Sequence, residues 1–165
     1  MNAEQLRELQ TPLKAKYRAD PATARVTMRA QGTLLPDGLI CQVPTTAGKV
    51  NAGLHQAAGG DGRAACSGDM LLQALVACAG VTLSAVATAM GITLRGGTIT
   101  AEADMDFRGT LGVSKDVDVG MQAIRMHFDL DTNATAEQRA TLLKMTERYC
   151  VIYQTLRKPP VISVQ

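Results

Sequence analysis

The chain contains no tryptophan, and aromatic side chains make up only 3% of it. Base stacking needs aromatic faces, so this scarcity argues against a single-stranded nucleic-acid platform. An excess of one charge is missing too. The 17 basic and 15 acidic residues leave a net charge of +2, which gives no footprint for nucleic acid or an anionic membrane. Histidine occurs twice, as His55 and His127. The four cysteines (Cys41, Cys66, Cys78 and Cys150) form no Cys-x-x-Cys and no close Cys/His cluster. The pattern therefore calls for no structural metal and no cofactor. Met1 to Leu13 carries Glu4, Arg7 and Glu8 and lacks an apolar core, so it does not read as a secretory signal. The expected compartment is the cytoplasm, where thiols stay reduced.

What the chain does have is enough apolar residues, 46% of 165, for one domain with a sizeable core. Residues 1–165 read as that single domain, with 1–19 as a helical extension. Leu6, Leu9 and Leu13 fall at helical spacing, and Thr11-Pro12 is expected to interrupt the helix. Val26, Met28 and Ala30 alternate with polar residues as in a half-buried strand. A turn at Pro36-Asp37-Gly38 precedes a second strand, Leu39 to Val43, and Gly59-Gly60-Asp61-Gly62 forms a loop.

Met70 to Met90 carries no charge. Its length invites a transmembrane reading, but Gln73, Gly80, Thr82, Ser84 and Thr88 dilute it. A helix buried on most sides is the better reading, with Ser67 as N-cap, Asp69 in the first turn and Gly91 as the stop. Ile99 to Phe107 and Ile124 to Leu130 alternate as a long hairpin with one solvated face. Thr135 and Gln138 form a capping box for a helix whose apolar stripe is Leu142, Met145 and Tyr149. Val161 to Val164 follow Pro159-Pro160 as a closing strand. The fold class is α+β, with antiparallel sheets around one buried helix.

The thiols are the chemical candidates. Cys78 lies mid-helix among small apolar residues, where burial makes a thiol inert. By local physics Cys66 is the stronger thiolate candidate, because it precedes a helix whose free N–H groups and dipole favour an anion. Cys41 reads as sheet filler. His55 sits in a loop that could border a cleft, and His127 reads as solvated.

The run Ser67-Gly68-Asp69-Met70-Leu71-Leu72-Gln73-Ala74-Leu75-Val76-Ala77-Cys78 resembles the helix motif of the OsmC/Ohr family, the osmotically inducible and organic hydroperoxide resistance proteins. Tyr149-Cys150-Val151-Ile152-Tyr153-Gln154-Thr155-Leu156 is similar to that family's second cysteine motif, about seventy residues on. The resemblance implies an OsmC-like fold in an intertwined homodimer. It also implies a thiol peroxidase for organic or fatty-acid hydroperoxides, with Cys78 as the peroxidatic thiolate and Cys150 as the resolving thiol. The reductant implied is a dithiol, a lipoylated protein or dihydrolipoamide. Arg29, with Arg18 and Arg25 as substitutes, would be held by Asp69 and keep Cys78 ionised. The alternative is a non-catalytic dimeric binder of a lipid-like or small apolar ligand.

Overall fold

The computed structural model describes residues 1–36 and 38–164. Asp37, the middle of the expected Pro36-Asp37-Gly38 turn, lies outside them. The element order is α1 (Ala3–Ala19), β1 (Thr33–Leu34), β2 (Cys41–Thr45), β3 (Gly48–Gly53), β4 (Ala65–Cys66), α2 (Ser67–Met90), β5 (Leu94–Asp104), α3 (Phe107–Thr110), β6 (Ala123–Thr132), α4 (Ala136–Tyr149) and α5 (Val151–Arg157). The class is α+β. Two compact units divide the chain: Met1–Thr27, Leu75–Thr100 and His127–Gln165 form the first, Met28–Ala74 and Ala101–Met126 the second.

In the first unit, α1 opens with a capping box between Asn2 and Gln5. It runs unbroken through Pro12, contrary to the expected interruption. Proline removes one backbone donor, and on a helix that buries no residue the freed carbonyl is open to solvent. On α2, Leu75, Ala79, Leu83 and Ala87 are buried. They recur every fourth residue and so form one stripe. Leu83 and Ala87 pack with Leu130 of β6 and Leu142 of α4, and Val86, Ile92, Phe128 and Leu143 close around them.

The expectation that α2 is buried on most sides fails within the chain. Val81 is 74% exposed, because only one stripe finds packing partners. By length and composition α2 could cross a bilayer, with a mean hydropathy of 2.0 over its most apolar window. Gly91 ends it at φ 68°, and the Ile92 N–H donates to the Ala87 carbonyl at 2.9 Å. This is the left-handed glycine stop expected from the sequence.

In α4 the capping box of Thr135 and Gln138 forms as expected. Leu142 is fully buried, but Tyr149 is 57% exposed and does not belong to the stripe. Residues 161–164 form no strand, and Val161, Ile162 and Val164 are exposed.

In the second unit, β1, β2, β3 and β4 form one sheet in that order. The β1–β2 and β2–β3 pairs are antiparallel, while β3–β4 is parallel, through Ala52 with Ala65 and Gly53 with Cys66. The sheet is therefore mixed rather than purely antiparallel. The strand expected at Val26 to Gln31 is an exposed segment outside any sheet, with Met28 89% exposed. Among the described residues its alternation finds no partner strand.

β5 and β6 form a two-stranded sheet. Arg95 pairs with Asp131, and the Gln122 N–H donates to the Asp104 carbonyl. The start of one strand thus faces the end of the other, and the pair is antiparallel. Ile99, Ala101 and Ala103 are half-buried and their neighbours exposed, as the alternation predicts. The strand stops before Met105 and Phe107, because Asp106 accepts from the Arg108 N–H and caps α3.

Candidate functional site

The chemistry-bearing cluster lies in the first unit, where α2 meets the joint between α4 and α5. Cys150 is at once the C-cap of α4 and the N-cap of α5. Its N–H donates to the Thr146 carbonyl at 2.9 Å, and its carbonyl accepts from Gln154 at 3.0 Å. The backbone turns there with φ −71° and ψ 110°. The first N–H groups of α5, on Val151, Ile152 and Tyr153, consequently have no helical acceptor. Two side chains hold the joint. Gln154 Nε2 donates to the Glu147 carbonyl at 2.7 Å, and Tyr153 Oη reaches Glu147 Oε2 at 3.4 Å.

Those free donors turn toward the two sulfurs. Cys78 is half-buried on α2 and Cys150 is 1% exposed, both as free thiols. Burial by itself pushes the Cys78 thiol up. The Ile152 N–H, the Cys150 thiol, the Val151 N–H and the Thr82 hydroxyl all donate to its sulfur, and together they hold Cys78 below the ordinary thiol value. Hydrogen bonds to the charged form favour ionisation. Thr82 is four residues from Cys78 and therefore on the same helix face.

Cys150 is biased the other way. Burial is the largest cause, and the hydrogen bond and charge of Cys78 add to it. The Tyr153 and Ile152 N–H groups offset this only in part, so the Cys150 thiol lies above its ordinary value. The arrangement thus holds one thiol poised to ionise against a second that stays protonated. Chemically, that is a nucleophile and a reserve thiol in contact.

From the sequence Cys78 reads as inert because mid-helix burial raises a thiol pKa, and the groups that offset this burial come from elsewhere in the fold. The missed groups are Thr82 and the backbone of Val151 and Ile152. Their one-dimensional signal was slight: a hydroxyl at i+4, and a cysteine at a helix joint. Arg29 and Asp69 are not among the four donors acting on Cys78. Arg29 lies in the exposed segment before β1, and Asp69 is exposed in the first turn of α2.

A separate cleft of about 740 Å³ occurs within the second unit, with Leu71, Leu72 and Phe107 in its wall beside Cys66, His55 and Asp69. His55 stacks on Phe107 with ring centroids 5.0 Å apart, and its Nδ1 accepts from the Ala57 N–H at 3.0 Å. Cys41 is half-buried in β2, consistent with sheet filler, and His127 is exposed.

Comparison with known proteins agrees with this fold. The family model described as OsmC-like protein matches residues 60–165. The crystal structure of an OsmC-like protein from Mycoplasma pneumoniae superposes with a TM-score of 0.68 at 14% identity, covering 81% of this chain and 89% of that one. An organic hydroperoxide resistance protein OsmC from Legionella pneumophila gives 0.64 at 15% identity, over 81% of this chain and 93% of that one. An organic hydroperoxide resistance protein from Elizabethkingia anophelis gives 0.64 at 17%, over 82% and 91%. No curated protein matches the chain in sequence. Identities this low establish likeness of fold.

Proposed function

The chain belongs to the OsmC-like protein family, and from that premise we propose that it is a cysteine-based reductase of organic or fatty-acid hydroperoxides. The observation that carries the reading is the contact of two free thiols with opposite bias, Cys78 lowered and Cys150 raised. A thiolate is the form that attacks peroxide, and a protonated neighbour is held back until it is needed.

In the proposed cycle the Cys78 thiolate attacks the distal peroxide oxygen. The O–O bond breaks, and the departing alkoxide takes a proton and leaves as the alcohol. Cys78 is now a sulfenic acid. Cys150 attacks it, a disulfide forms, and hydroxide leaves with a proton as water. A dithiol of the dihydrolipoamide class then reduces the Cys78–Cys150 bond and becomes the cyclic disulfide. Arg29 and Asp69 keep the part the resemblance implies: a guanidinium that steadies thiolate charge, and a carboxylate that holds it. The same reading makes the working form a homodimer. Apolar residues left open on one chain, including Val81, Val161 and Ile162, support a second copy covering them.

The test supplies purified reduced protein with cumene hydroperoxide and dihydrolipoamide. Turnover is expected, and Cys78→Ser is expected to abolish it. One equivalent of peroxide is expected to remove two hydrogens in a Cys78–Cys150 link readable by mass spectrometry. Two unreacted thiols after that treatment would sink the enzyme reading and favour a non-catalytic binder of an apolar ligand.

A further inference from the structure

The small net charge of the whole chain conceals a sorting of charge on α1. This helix packs mainly against the turn Pro21–Ala24 that follows it, and it buries none of its 17 residues. Leu6, Leu9, Leu13 and Tyr17 recur at intervals of three and four and so share one face. Leu9 is 59%, Leu13 48% and Tyr17 38% exposed, which leaves that stripe open. Each residue advances about 100° around the helix axis, and this places the charges. Lys16 borders one edge of the stripe, about 65° from its centre, while Lys14 and Arg7 border the other at about 95° and about 115°. Glu4 and Glu8 fall about 145–175° away, on the opposite face. Among the described residues none of the three cations forms an ion pair.

We propose that α1 lies flat on an anionic lipid surface, with its leucine stripe at the headgroup–acyl boundary and Arg7, Lys14 and Lys16 among the lipid phosphates. An open apolar stripe with cations along both edges is the pattern of interfacial helices. Long Lys and Arg stems cover the flanks of such a stripe while their charged heads stay in water. Tyr17 suits the same depth, because its ring is apolar and its tip polar. A planar surface meets both cationic edges at once and leaves the glutamates turned to water. A helix of this length with so little packing is marginal in water, so covering the stripe also steadies the helix. The inference does not depend on the thiol chemistry.

The experiment sediments the full chain with vesicles of equal parts phosphatidylcholine and phosphatidylglycerol. Binding is expected, about tenfold or more weaker to phosphatidylcholine alone, and weakened by added salt. One basic residue near such a surface contributes about fivefold, so Lys14→Gln/Lys16→Gln is expected to weaken binding about twentyfold. Leu9→Gln/Leu13→Gln keeps helix propensity and is expected to abolish binding. The exchange Glu8→Lys/Lys16→Glu keeps composition and net charge but moves a carboxylate to the edge of the stripe. It is expected to weaken binding about fivefold or more. Circular dichroism checks that each variant keeps the parent's fold, which a helix with no buried residue should allow. The proposal is overturned if the chain ignores the vesicles, if both vesicle types bind equally, if the leucine variant still binds, or if the charge exchange has no effect. Capture by soluble polyglutamate through the same residues, without vesicle binding, would assign the face to an acidic protein and overturn it as well.

Discussion

Thr82→Val isolates one donor to the Cys78 sulfur while keeping the side-chain shape. The hydroxyl is one of four groups that lower the Cys78 thiol, and Thr82 is half-buried. A hydrogen bond to a charged group contributes about 1.5–3 kcal/mol. Losing it raises the Cys78 pKa, and an energy at the lower figure is about a tenfold shift of the thiol–thiolate equilibrium toward the thiol. At a pH below that pKa the thiolate fraction falls about tenfold, but a more basic thiolate is intrinsically about threefold more nucleophilic for a Brønsted slope of about 0.4–0.5.

The net rate of the first chemical step at low pH therefore falls only about threefold by the same reasoning. Well above both pKa values the variant is the faster of the two. The diagnostic is the crossing of the two pH profiles. Single-turnover reaction with cumene hydroperoxide from pH 5 to pH 10 reads it, and thiolate absorbance gives the pKa independently. Profiles that superpose would refute the assignment of Thr82 as a donor. A uniform drop at every pH would refute the pKa argument and indicate a packing effect.

Arg29→Ala is expected to lower peroxide kcat/KM at least tenfold at neutral pH, and equal rates would remove the arginine from the mechanism. Leu142→Ala empties a site with 0% exposure and should cost about 2–5 kcal/mol in urea unfolding; a smaller loss would mean that the core around Leu83, Ala87 and Leu130 collapses to fill it. Asp106 is held at about 2 by the side chain and N–H of Arg108. Because this carboxylate is depressed in the folded state, its stabilisation is complete above the unfolded value and is lost as pH falls from about 4 to about 2. Asp106→Asn keeps an N-cap side chain and should flatten that part of the stability–pH curve, which thermal melts at stepped pH would read.

What could be read from the chain alone was whatever depends on near neighbours. The capping box at Thr135 and Gln138 and the glycine stop at Gly91 are local patterns and form as written, and the alternation in β5 and β6 forms except at Met105, Phe107 and Ile124. Errors arose where a pattern lacked its partner. Val26 to Gln31 alternates like a strand but pairs with nothing among the described residues, and Pro12 did not break an exposed helix that loses a single bond. The parallel β3–β4 pair was illegible, because two residues of strand leave no periodicity.

The family was legible because two cysteine motifs stand about seventy residues apart in an α+β order. The character of Cys78 was not. Its thiol is lowered by N–H groups freed where α4 gives way to α5, and by a hydroxyl one turn along α2. Sequence fixes which residues carry sulfur and which segments coil. Only tertiary packing decides which sulfur meets unpaired donors, because hydrogen bonding acts over a few ångströms between segments the chain holds far apart.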